Sequence, residues 1–461
     1  MSAFDSMYAK LPAWGQHAAV TAYGLYWHQL RFGSNYSKFV QQYQERERFT
    51  KKQWKTWQTE YLEKLLPACV KNVPYYRDHW TEIQKQVALN GDLNALPLLE
   101  KDPIRDNPED FLREDLAPSR PQIFLTSGTT GTPISSYYTI PELRRSLALR
   151  EVRSARWAGV SFKLPRATFS GRMVEPDPNS KGPFYRFNLV ERQVYFSAFH
   201  LKPDTAQKYV HALRRHKIQW GTGYAVSFYL LARFMLERGI QPTGHLKAII
   251  TTSEKLTPEM RAVMEQAYGC KIYEEYSTVE NAIFASECEY GRLHVSPDVS
   301  VVEILRPDSS PCEPGEAGEV VVTTLSRTYQ PLVRFRLGDM AMWDEEPCPC
   351  GRQMPVIKEV IGRIEDVVIG PDGRQMVRFH GVFANQPHIQ EGQIIQETLD
   401  CIRVKVVAKK GFSNEDIQNI IHRVQQRLGE NIKVVVEPVL EIPRTKAGKF
   451  QAVVSMLNKG S

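Results

Sequence analysis

The stretch LTSGTTGTP, Leu125 to Pro133, mixes hydroxyl side chains and glycines between an apolar run, QIFL, and a helix-like run, PELRRSLALREVRSARW. A loop of that composition between a strand and a helix presents backbone N–H groups to an anion, and the helix N-terminus adds its positive dipole end. Gly128 and Gly131 keep the backbone accessible, and the hydroxyls of Thr126, Ser127, Thr129 and Thr130 add donors that can follow moving oxygen atoms. No Lys completes a G-x-x-x-x-G-K-[ST] loop and the glycines are not spaced G-x-G-x-x-G, so neither common nucleotide loop is present. Taken alone, such a stretch is more often a plain turn. Its meaning rests on what surrounds it.

Outward from the loop, QIFLTS, PELRRSLALREVRSARW, LKAIITTSEKL, TPEMRAVMEQAYG and KIYEEYS alternate short β-branched or apolar runs with amphipathic ones. That order predicts an α/β architecture with parallel pairing. Upstream, residues 1 to about 115 read as mostly helical, and Trp54, Trp57, Tyr61 and Leu65 recur at helical spacing as a core stripe. After Gly291, the runs VSVVEIL, GEVVVTTL and AMW, separated by turns such as RPDSSPCEPGEAG, predict an antiparallel β unit attached to the α/β body. Beyond GRIEDVVIGPDGR, the segments IRVKVVAKK, NEDIQNIIHRVQQRLG and KVVVEPV predict a small α+β unit. The expected boundary is close to Arg363, giving one domain over 1–363 and a second over 364–461.

At 461 residues, 42% hydrophobic and 24% charged, the composition is that of an ordinary globular protein and excludes a fibrous or disordered chain. The net charge of +7 is spread rather than gathered with aromatics in a recognised module, which argues against nucleic acid and fits acidic small molecules. Seven cysteines, with no signal peptide ahead of them, point to the reducing cytoplasm. The aromatic run AVTAYGLYWHQLRFG is broken by polar residues well short of the roughly 20 apolar residues of a membrane span, so no transmembrane segment is expected. A helix packed on its own core is the favoured reading, and contact with a membrane surface the lesser one.

TSGTTGTP stands in one order with YEEYSTVE (Tyr273 to Glu280), PLVRFRLGD (Pro331 to Asp339), GRIED (Gly362 to Asp366) and PRTKAGK (Pro443 to Lys449). The set resembles the ordered core motifs of adenylate-forming enzymes, the acyl-CoA synthetase superfamily. Within it the chain looks most similar to the phenylacetate-CoA ligase group and its capsule-biosynthesis relatives. The resemblance implies a large N-terminal adenylation domain and a small mobile C-terminal domain. It implies activation of a carboxylic acid by ATP as acyl-AMP, release of pyrophosphate, and transfer of the acyl group to coenzyme A.

On that resemblance, residues Thr126 to Gly131 would cradle the β- and γ-phosphates, and Tyr276 would lie by the adenine with Ser277 beside it. Glu280 would help hold Mg²⁺, as a hard carboxylate oxygen suits. Asp339 would accept hydrogen bonds from the ribose hydroxyls, Arg363 would reach the nucleotide, and Glu365 would sit at the hinge. Lys449, with Lys446 as internal rival, would stabilise charge building on the carboxylate and α-phosphate oxygens. Rotation at Glu365 would then withdraw Lys449 after the first half-reaction. Two positions depart from the pattern: Val279 stands where a hydroxyl residue usually precedes the Glu, and Glu365 where Asp or Lys is usual.

Cys288, His294, Cys348 and Cys350 offer a Cys₃His set for Zn²⁺, structural because no position is left open for water, against a bland alternative of reduced cysteines in a β unit. Cys312 is a substitute ligand in this reading. The acyl group is expected near WGTGYAVSF and IITTSEKL, with Tyr224, Ser227 and Glu254 lining its pocket. Arg144, Arg145, Arg150, Arg153 and Arg156 are expected to be mostly solvated, one or two meeting coenzyme A phosphates. Direct transfer to an amine, and a catalytically silent scaffold, remain as alternatives. The expected partners are a carboxylic acid, ATP and either coenzyme A or an amine acceptor, and a homodimer stays open.

Overall fold

Threonines set the helical N-terminal third. Thr50 and Thr81 each form a reciprocal capping box with the glutamine three residues on, starting the helices Lys51–Asn72 and Glu82–Leu89. Along the first of these, Trp54 and Leu65 are buried while Trp57 and Tyr61 pack partly covered against the core, so the stripe is a core face. The helix Ala13–Arg31 buries Gly15, Gln16, Gly24 and Trp27 against the body, and no helix among the described residues is long and apolar enough to cross a membrane. The computed structural model describes residues 7–116, 120–125, 134–170, 172, 174–177, 180–198, 200–363, 368–369, 371, 375–376, 380–383, 386–443 and 451–457.

The strands β1 (Gln122–Leu125) and β2 (Ser135–Tyr138) flank the Ser/Thr/Gly stretch and pair antiparallel as a separate two-stranded hairpin. QIFL therefore stands outside the parallel pairing expected of it. The main sheet contains β3 (Arg166–Ser170), β4 (Tyr185–Asn188), β5 (Gln193–Ser197), β6 (Trp220–Tyr224), β7 (Ala248–Thr252) and β8 (Lys271–Ser277). Across it, β5, β3, β6, β7 and β8 run parallel, with β4 antiparallel at the edge. The helices Ala206–Arg215, Ala225–Glu237 and Pro258–Tyr268 make the crossovers from β5 to β8.

Six further strands follow: β9 (Phe284–Glu287), β10 (Leu293–Val295), β11 (Ser300–Leu305), β12 (Ala317–Thr324), β13 (Phe335–Asp344) and β14 (Val356–Arg363). The antiparallel unit is not a detached layer. It joins the parallel block through β8 and β9, with Tyr276 opposite Ala285, and completes a 12-stranded sheet.

After the short pair β15 (Val368–Ile369) and β16 (Gln375–Met376), a second sheet assembles from β17 (Ile389–Thr398), β18 (Cys401–Ala408), β19 (Lys433–Val439) and β20 (Val453–Ser455), in the order β19-β18-β17-β20. Its core is its own: Ile394, Ile402, Val404 and Val406 meet Ile420, Val424 and Leu428 of the helix Asn414–Leu428, all fully buried. The N–H of Ser413 donates to Asp416 Oδ2 at 2.8 Å to start that helix.

Candidate functional site

Parallel strands deliver their carboxyl ends to one edge of a sheet, and crevices outside that edge are where open α/β sheets bind ligands. Here that edge carries Tyr224 at the end of β6, Ser253 and Glu254 just after β7, and Tyr276 and Ser277 at the end of β8. Glu254 Oε2 accepts the Val226 N–H at 2.9 Å, so its carboxylate closes the first turn of the helix Ala225–Glu237. Tyr224 and Ser227, each buried, stand at the start of the same helix. The three expected pocket residues are thus brought together. Gly223 is demanded by this packing: its φ is +130° and a Cβ there would lie 1.8 Å from the Phe169 carbonyl oxygen.

One strand further, the Tyr276 hydroxyl donates to Asp339 Oδ2 at 2.7 Å, joining the end of β8 to the middle of the sheet's antiparallel half. Asp339 is buried and pairs in register with Arg363 of β14, whose backbone is described and whose side chain is not. Ser277 Oγ and a Glu275 carboxylate oxygen both accept from the Arg150 guanidinium, at 3.2 and 3.1 Å. The residues Thr126 to Gly131, Glu365, Lys446 and Lys449 lie outside the described residues.

Arg327 and Glu142 carry a role that the motifs do not announce. The Arg327 guanidinium, almost fully buried, donates to Ser136 Oγ at 3.0 Å, to the Tyr137 carbonyl at 2.5 Å and to the Glu280 carbonyl, and sits 3.8 Å over the Tyr138 ring. One side chain therefore ties the strand leaving the Ser/Thr/Gly stretch to the turn that carries Glu280. Among the described residues the Glu280 carboxylate itself has no hydrogen bond, while Val279, at 42% exposed, gives its carbonyl to the Tyr138 hydroxyl. Glu142 caps its own helix through Thr139 and also accepts the N–H groups of Thr328 and Tyr329, at 2.6 and 2.9 Å. The T-x-x-E spacing from Thr139 to Glu142 is the signal that marks this cap; no local signal marks its second use.

The cysteine cluster is assembled as the spacing suggested. Cys288 Sγ lies 3.6 Å from Cys348 Sγ, and Cys350 Sγ 3.4 Å from His294 Nε2, with all four ligand atoms within 4.8 Å of one another. Burial pushes the His294 imidazole down to about 4, against the pull of the Met354 backbone, so it is neutral as a metal ligand requires. Burial, with the neighbouring thiols, pushes Cys348 up to about 12 as a free thiol. The surroundings are Trp54, Trp157 and Met354. Cys312 is elsewhere, buried between β11 and β12 where a Cβ on Gly318 would meet its sulfur, so it is no substitute ligand.

Comparison with known proteins finds relatives along most of the chain. Residues 369–456 match the CapK C-terminal domain. Protein CapK of Staphylococcus aureus is 26% identical over 388 residues, covering 81% of this chain and 83% of that one. Phenylacetate-coenzyme A ligase of Thermus thermophilus is 25% identical over 460 residues, covering 87% and 96%. Over most of its length the chain is thus similar to CapK and to phenylacetate-CoA ligases. The fold agrees: 2-hydroxyisobutyryl-CoA ligase in the postadenylation state, in complex with R3-HIB-AMP, superposes with a TM-score of 0.69 at 20% identity over 89% of this chain and 91% of that one.

Within this fold the arginine-rich helix departs from expectation. Arg153 is fully buried and grips Asp298 through two hydrogen bonds of 2.5 and 3.0 Å, and Arg46 adds a third contact at 2.6 Å. Arg150 is taken up by Glu275 and Ser277, Arg144 donates to the Leu30 carbonyl, Arg145 lies over Phe39, and Arg156 pairs with Glu151. The helix Ile140–Arg150 runs into a π turn over Glu151–Ala155, a wide turn that is buried throughout. Arg156 stays exposed beside Glu151, while the half-buried Arg144, Arg145 and Arg150 and the buried Arg153 each meet an internal partner.

Proposed function

We propose that this chain activates a carboxylic acid as its adenylate and passes the acyl group to the thiol of coenzyme A. The observation that carries the reading is the pairing of the half-buried Tyr276 with the buried Asp339 at the carboxyl edge of the sheet, one strand from the Tyr224, Ser227 and Glu254 cluster. In the first step a carboxylate oxygen attacks the α-phosphorus of ATP and pyrophosphate leaves. In the second the coenzyme A sulfur attacks the acyl carbonyl and AMP leaves.

Such chemistry needs positioning and charge complementarity more than an acid-base pair. Asp339 receives the ribose hydroxyls, held in place by the Tyr276 hydroxyl, and Tyr276 flanks the adenine. Thr126, Ser127, Gly128, Thr129, Thr130 and Gly131 hold the outgoing phosphates, and Glu280, on the turn that Arg327 ties to Ser136 and Tyr137, would take Mg²⁺. Arg363 reaches the nucleotide from opposite Asp339. Lys449 neutralises the charge that builds on the carboxylate and α-phosphate oxygens. The pocket of Tyr224, Ser227 and Glu254 receives the acyl group. Residues 364–461 form the mobile domain, turning at Glu365, and the protein works in the cytoplasm.

Three thiolates and a neutral imidazole within 4.8 Å fit tetrahedral Zn²⁺. Cys288, His294, Cys348 and Cys350 would hold it, and with four protein ligands it would cross-link the β9–β10 turn to residues 348–350 rather than take part in the reaction.

The test is pyrophosphate release from ATP and Mg²⁺ over a panel of aryl, fatty and amino acids, with wild type and Lys449→Ala, followed by product analysis with coenzyme A. Release with one class of acid, abolished in the variant, and a thioester product are expected. An adenylate that accumulates with coenzyme A but is consumed by an amine would replace the thiol by an amine acceptor.

A further inference from the structure

A second cavity, of about 370 Å³, opens at the other end of the parallel block, walled by Phe184 and Tyr185 and rimmed by Lys181, Lys208, His211 and Arg215. It lies beside β4 and β5, and β5 is separated from β8 by β3, β6 and β7. At a strand spacing of about 4.8 Å that places it roughly 19 Å along the sheet from Tyr276. Nothing in the adenylation reading uses these residues.

Its charge is built, not incidental. Lys208, His211 and Arg215 recur at i, i+3 and i+7 along the helix Ala206–Arg215, which puts them on one face. From Thr205 to Lys217 the sequence TAQKYVHALRRHK has no acidic residue. Among the described residues no carboxylate pairs with Lys181, Lys208 or Arg215; the nearby Asp204 is taken by Arg238. Lys208 Nζ is held at the mouth, donating to the Lys181 carbonyl at 2.7 Å and lying 5.3 Å over the Phe184 ring. The field is felt locally: burial, then Arg215, His17 and His211, push His216 down to about 4.

Uncompensated cations around an aromatic slot select a ligand that is both flat and anionic. Guanidinium and ammonium groups take phosphate oxygens, and aromatic walls take a ring face. We propose that this cavity binds a phosphorylated aromatic nucleoside, its base against the half-buried Tyr185 and its phosphate on Lys208 and Arg215. Two sources share that chemistry: a free nucleotide, and the 3′-phosphoadenosine end of coenzyme A. The proposal stands whether or not the chain forms an adenylate.

Photolabelling of the full-length protein with 8-azidoadenosine 3′,5′-bisphosphate, followed by peptide mapping, tests it. Label is expected on the peptides spanning 181–185 and 206–216, reduced at least tenfold in Lys208→Gln/Arg215→Gln. These two side chains are exposed, so the double variant keeps the fold, and pyrophosphate release in the same preparation reports separately on the adenylation site. Protection by coenzyme A but not by dephospho-coenzyme A or AMP assigns the cavity to the coenzyme's nucleotide end; equal protection by AMP assigns it to a free nucleotide. Label confined to the neighbourhood of Tyr276 overturns the proposal. So does label at 181–216 that survives in the double variant, or that inorganic phosphate displaces as well as any nucleoside.

Discussion

The Tyr276 hydroxyl donates to Asp339 Oδ2 at 2.7 Å, from the last strand of the parallel block to the middle of the antiparallel one. A carboxylate so held is aimed before any ligand arrives. Asp339→Ala, which removes both oxygens, is expected to lower kcat/KM for ATP by about 10²- to 10³-fold, at roughly 1.5–3 kcal/mol per hydrogen bond to a charged group. Tyr276→Phe removes only the aiming bond and is expected to cost about tenfold, chiefly in KM for ATP. Pyrophosphate-release kinetics with ATP varied measure both; equal losses in the two variants would mean that Tyr276 does more than aim Asp339.

Arg327 is a structural prediction with a functional readout. Its donors satisfy Ser136, Tyr137 and the Glu280 carbonyl together, and Gln330 shares the same guanidinium at 3.2 Å. Arg327→Ala leaves several buried acceptors unpaired, so a loss of about 3 kcal/mol in urea unfolding is expected. Arg327→Lys keeps the charge but not the planar fork. It is expected to recover less than half of that stability and to raise the Mg²⁺ concentration needed for activity, since the Glu280 turn loses its anchor.

The Cys₃His cluster predicts about one equivalent of zinc per chain in protein purified without chelator, read by elemental analysis. Cys348→Ser and Cys350→Ser are expected to lose most of it and to unfold at lower temperature. A full complement of metal in both variants would refute the assignment. Any loss of activity should follow loss of fold, because the four ligands leave no open coordination position.

Glu274 predicts a pH dependence. Burial first, then the charge of Glu287, pushes its carboxyl up to about 7, against the pull of Arg261. A carboxyl whose folded pKa is raised binds more protons in the native state than in the unfolded chain. Between the ordinary Glu value near 4.3 and about 7, stability therefore falls as pH rises, and the loss is complete above that window. Glu274→Gln is expected to raise the midpoint of thermal unfolding at pH 8 and to leave it nearly unchanged at pH 4. Parallel shifts at both values would show that Glu274 does not titrate there.

Much of this was legible in the primary structure. Alternating β-branched and amphipathic runs dictate parallel strands with helical crossovers, because periods of 2 and 3.6 bury different faces. Tyr276 and Asp339 were named on the family resemblance and the Cys₃His set on residue type and spacing, and the fold brings Tyr276 to Asp339 and the four zinc candidates to one another. The C-terminal unit was readable for the same reason: IRVKVVAKK and KVVVEPV pair side by side over a helix whose apolar stripe covers them.

Tertiary structure alone decided where long polar side chains point. Arg327 belongs to no motif, yet three partners distant in sequence converge on it. The arginines of Ile140–Arg150 and its π turn looked solvated by periodicity, and Arg153 proved to be wholly inside against Asp298, 145 residues away. The antiparallel unit, expected to be attached to the α/β body, is attached by continuing the same sheet through the single junction of β8 with β9. Sequence encodes which residues seek burial and which local turns they favour. Which buried cation meets which acceptor depends on surfaces that come together only after those local choices are made, and a buried polar group must then take the partner the packing offers.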